Sequence, residues 1–86
     1  MKLANGNYRL KSDPNPPGKP DMLFVVRNDG SYGDASFGRL EYDAGHDWYW
    51  VGKVVIRFLD ATHFEAITNP GEPSETHYTG TYAPET

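Results

Sequence analysis

The chain has no cysteine. That excludes disulfides and thiolate–zinc sites as sources of stability and removes thiol nucleophiles from any chemistry. A reducing compartment fits this composition, and a cytoplasmic location is expected. Long apolar runs are also missing: the longest, Met22 to Val26, is far short of the roughly 20 residues of a membrane-spanning helix. The opening MKLANGNYRL lacks the apolar stretch of about 7–15 residues that a secretory leader needs, so neither a leader nor a membrane partner is expected. Helix is disfavoured too, with 9 Gly and 7 Pro in 86 residues. Phe37, Leu40 and Ala44 come nearest to a helical apolar stripe, and Gly38 and Gly45 interrupt it. Basic residues are scarce after residue 27: five stand against two acidic ones before that point, three against ten after it. The overall charge is −4, and such a surface repels nucleic acid and attracts basic partners.

What remains is the pattern of one small β domain spanning residues 1–86. Strands are expected at 7–11, 22–28, 31–37, 39–43, 48–59 (one strand or two), 63–68 and 76–82. NDGS, DAGHD, LDAT and NPGEP supply the turn chemistry between them. The expected fold is all-β: a small antiparallel meander, folded as a partly open barrel or sandwich of about six or seven short strands. Its expected core is Phe24, Val26, Phe37, Trp48 or Trp50, Val54, Ile56, Phe58 and Phe64.

DWYWVGKVVIRF, residues 47–58, concentrates the largest apolar side chains. Two readings compete at Gly52-Lys53. As a bulge in one long strand, it places Trp48, Trp50, Val54, Ile56 and Phe58 on one face. Tyr49, Val51, Val55 and Leu59 then lie on the other beside Lys53 and Arg57; either the sheet closes fully into a barrel that leaves this aliphatic stripe outside, or a second copy of the chain covers it, and a homodimer is expected. As a two-residue turn with Gly first, it makes a tight hairpin and flips that parity.

Gly-x-Tyr occurs at Gly6, Gly30 and Gly80. Each Gly is expected to bend the chain while the Tyr packs across the bend. The opening NGNYRL and the closing YTGTYAP resemble the ends of calycin-type barrels. That resemblance implies that the first and last strands pair, and it raises the possibility of a small apolar ligand in the barrel mouth.

Chemistry-bearing motifs are few. The segment at 12–21 holds four prolines and two overlapping PxxP patterns, read as a stiffened loop. No Ser sits in a nucleophile-elbow context. His63 and Glu65 share a strand face, which makes them the one pair suited to a small hydrolase or isomerase. His46 and His77 complete no recognised metal spacing, so no metal and no cofactor are expected. The leading expectation is therefore a non-catalytic binding module of the kind found among phage and accessory-genome proteins. It engages a protein partner, or itself, through exposed aromatics and an acidic surface. The residues expected to carry binding are Tyr32, Tyr42, Trp48, Tyr49 and Val55.

Overall fold

Gly52 decides how the most apolar segment folds. In the computed structural model, which describes residues 1–13, 21–27, 32–34 and 38–85 (the backbone alone at 13, 32–34, 38 and 39), Gly52 has φ 63°. That left-handed conformation suits only a residue without Cβ. It falls on the first of two turn residues, the arrangement that matches the twist of flanking strands. Residues 48–59 are therefore two strands, Trp48–Val51 and Val54–Phe58, with Tyr49 opposite Ile56 and Val51 opposite Val54.

Eight strands result: β1 (Gly6–Asp13), β2 (Met22–Val26), β3 (Tyr32–Asp34), β4 (Gly38–Asp43), β5 (Trp48–Val51), β6 (Val54–Phe58), β7 (His63–Thr68) and β8 (Thr76–Pro84). Among the described residues there is no helix. The strands form one antiparallel sheet in the order β2-β1-β8-β7-β6-β5-β4-β3. From β3 to β8 each strand pairs with its neighbour in sequence, as a meander does. The first and last strands then pair, from Tyr8 opposite Pro84 to Asp13 opposite Thr79. The sheet curls until β2 and β3, its two ends, approach one another without a ladder between them. This is a partly open barrel.

Turn chemistry closes the hairpins. The Asp43 carboxylate accepts from the backbone N–H of Gly45 at 3.0 Å, and Asp60 accepts from those of Thr62 and His63, both at 2.8 Å. Such Asx bonds replace ladder bonds where the chain reverses. Asn69 and Gly71 both adopt positive φ, at 50° and 81°, in the β7–β8 connection.

The concave face holds the core. Alternation along each strand brings Leu10, Phe24, Val26, Leu40, Tyr49, Val51, Ile56, Phe58, Phe64, Ala66 and Tyr82 inside, with Val54 packed against them. Its centre is aromatic: Phe24, Tyr49 and Phe58 meet pairwise with ring centroids 5.6–5.9 Å apart, and Tyr82 lies 4.7 Å from Phe58. Edge-on ring pairs of this kind are worth about 0.5–1.5 kcal/mol each beyond their burial. The opening residues lie across one end of this face. Leu3 is buried there, and its N–H donates to the Tyr49 hydroxyl at 3.0 Å.

Three expectations need correction. Neither Trp48 nor Trp50 is a core residue; both are half-buried on the convex face, because the hairpin turn places them opposite Val51 and Tyr49 in parity. Val51 and Tyr49 face inward, so the bare aliphatic second face drawn from a single long strand does not exist. Val55 does lie outside, but flanked in the ladder by Trp50 and Ile67 it is 0% exposed. Phe37, the proline-rich loop and the NDGS turn lie outside the described residues.

Candidate functional site

The convex face of β4 to β8 gathers the side chains that the core leaves over. The register places Asp43 beside Trp48 and Glu41 beside Trp50, then Trp50 beside Val55 and Arg57 beside Glu65. Trp48 and Trp50 meet edge to face, with centroids 6.0 Å apart and planes at 84°. The His46 ring stacks on Trp48 at 4.5 Å, nearly parallel at 8°. The Arg57 guanidinium also lies over Trp48, 4.9 Å from the ring centroid.

A polar network fixes this aromatic pair. Asp43 Oδ2 meets His46 Nδ1 at 2.9 Å and accepts from the Trp50 indole N–H at 3.4 Å. Bonding to the His46 ring is the main reason the Asp43 carboxyl sits below its usual range. Arg57 donates to Glu65 at 3.4 Å and to the His46 carbonyl at 3.1 Å. His77 bridges onward, 2.9 Å from Glu75 and 4.0 Å from Glu65. The Trp48 indole N–H is buried and has no acceptor among the described residues. An unsatisfied buried donor costs about 1–3 kcal/mol, and a phenylalanine at 48 would avoid it.

The five residues expected to bind fall in different places. Trp48 belongs to the convex face. Tyr49 is 1% exposed inside the core, where burial pushes its phenol above the ordinary value. Tyr42 lies at the core rim, its ring 4.9 Å from Tyr49. Its hydroxyl donates to Asp47 at 2.5 Å, and that bond foremost pushes the Tyr42 phenol up to about 12. Val55 is on the convex face but covered, and the Tyr32 side chain lies outside the described residues. Trp50, His46, Arg57 and Asp43 were missed, although the Gly-first turn alone groups Trp48, Trp50, Val55 and Arg57 on one face.

His63 and Glu65 share the convex face, each with its own partners. Glu65 turns to Arg57, and His63 turns to the LDAT turn. There both Asp60, at 3.0 Å, and the Thr62 hydroxyl, at 2.9 Å, address the same ring nitrogen, Nδ1. A base with an orienting carboxylate uses its two ring nitrogens for separate partners. This cluster is a turn clasp. Among the described residues no three His, Asp or Glu side chains converge as metal ligands, and no helix is long and apolar enough to cross a membrane. No protein-family model, curated protein or solved structure matches the chain.

Proposed function

We propose that the protein is a non-catalytic binding module that docks a protein partner on the convex face around Trp48 and Trp50. One observation carries the reading: the chain's two largest apolar side chains stand outside a core already complete without them. Trp and Arg are the residues that most often dominate binding at protein interfaces. Their fixed geometry lowers the entropy lost on association. Carboxylates ring the face, so the partner is basic or presents basic side chains, and nucleic acid is disfavoured. A cysteine-free chain suits the cytoplasm.

The calycin-like alternative, an apolar ligand in the barrel mouth, has less support. Aromatic rings fill the concave face and Leu3 lies across one end of it.

The test is affinity capture from host lysate on immobilised wild-type protein and on Trp50→Ala, with light scattering on the free protein. A protein retained by the wild type and lost from Trp50→Ala is the expected outcome. A concentration-dependent dimer that Trp50→Ala dissociates makes the partner a second copy. Capture that is identical on both baits, with a monomer throughout, overturns the reading.

A further inference from the structure

A pocket of ≈ 170 Å³ opens where the tips of two hairpins meet, lined by Trp50, Gly52, Lys53, Asn69, Pro70 and Glu72. It is smaller than the roughly 300–1,000 Å³ of small-molecule sites and suits one long side chain. Its walls are stiff. Gly52, Asn69 and Gly71 hold left-handed conformations, and the Asn69 N–H ties the hairpins together by donating to the Lys53 carbonyl at 3.1 Å. Glu75 braces the same connection by accepting from the Gly71 N–H at 2.8 Å.

The two tryptophans differ in the charge beside their rings. Trp48 carries a guanidinium from within the chain, Arg57, which is itself paired with Glu65. Trp50 shares its pocket with Glu72, and among the described residues no cation lies over its ring. The aromatic–guanidinium–carboxylate stack that is complete at Trp48 is thus two-thirds built at Trp50. We propose that this pocket takes an arginine side chain of the partner protein, its guanidinium stacked on Trp50 and paired with Glu72. Arginine fits better than lysine because a planar guanidinium both stacks on an indole and forks onto a carboxylate. Lys53 lines the pocket and opposes the incoming charge. Among the described side chains around the pocket, Asp43, Glu65, Glu72 and Glu75 outnumber Lys53 and Arg57, which leaves the field anionic.

The inference rests on the proposed binding face, and its test is separate. Acetyl-Gly-Arg-Gly-amide is titrated into the full chain by two-dimensional NMR, with the citrulline peptide as its neutral twin. The expected result is a saturable shift of the Trp50 indole and of the Gly52 and Gly71 amides. Citrulline and Glu72→Gln each weaken it about tenfold, the scale of one ion pair, and Lys53→Met strengthens it. No saturable shift at arginine peptide concentrations on the order of 10 mM, or equal response to citrulline, overturns the pocket. A captured partner that Trp50→Ala loses but Glu72→Gln keeps also overturns it, while leaving the binding face standing.

Discussion

A Cβ built on Gly80 would fall 2.2 Å from the Lys11 carbonyl oxygen and 2.6 and 2.8 Å from two atoms of the Phe64 ring. The Gly-x-Tyr pattern marked this residue in the sequence, but as a bend. In the structure β8 runs straight through it, and the missing side chain lets Phe64 cover the strand from its cross-strand position. Gly6 comes closer to the expected use: its φ is 153°, and two residues on, the Tyr8 hydroxyl returns to the Ala4 carbonyl at 2.8 Å. A pattern can flag a glycine, but only the partner strand shows whether it turns the chain or yields space. Gly80→Ala must displace backbone as well as a ring, and it is expected to cost about 2–3 kcal/mol, within the usual range for overpacking. Urea unfolding measures this. An unchanged midpoint would show that β1 and β8 do not approach so closely.

At the scale of elements, strand positions were legible because turn residues announce them. Residues 63–68 form β7 with both ends where alternation put them, bounded by the Asp60 turn and by Asn69-Pro70. β1 and β8 run further than expected, Gly6–Asp13 and Thr76–Pro84, because each extends the other's ladder. What could not be read was parity at Gly52-Lys53. Turn and bulge use the same residues. The choice between them shows only in the φ of Gly52 and in how the flanking hairpins pair, β5 with β4 and β6 with β7. That one choice exchanges Tyr49 for the tryptophans, and it accounts for most of what the sequence missed of the site. Leu59, which the long-strand reading also assigned to an interface, ends just beyond β6 and is 53% exposed. It continues the convex parity of Val55 and Arg57, one residue beyond the end of β6.

For the molecule as a whole, the acidic turns govern the response to pH. Bonds from the Thr62 and His63 N–H groups and the His63 ring pull Asp60 from 3.8 down to about 2. Asp43 and Glu75 are lowered by the His46 and His77 rings, and Glu85 by Arg9. A carboxylate with a depressed folded pKa stabilises the fold above its unfolded value and loses that contribution as pH falls through the folded one. Stability is therefore expected to hold from neutral pH down to about pH 4 and to decline toward pH 2. Asp60→Asn keeps one acceptor oxygen and should flatten that decline in urea midpoints taken at several pH values. A decline as steep as the wild type's would remove Asp60 from the account. The central claim, that the concave tyrosine face folds the protein and the convex tryptophan face is left for recognition, is tested most directly by unfolding free energies of Tyr49→Ala and Trp50→Ala side by side. The account predicts a loss of about 3–5 kcal/mol for Tyr49→Ala, as for a large core side chain, and of about 1 kcal/mol for Trp50→Ala. A Trp50→Ala variant that loses as much as Tyr49→Ala would return the tryptophan to the core and contradict it.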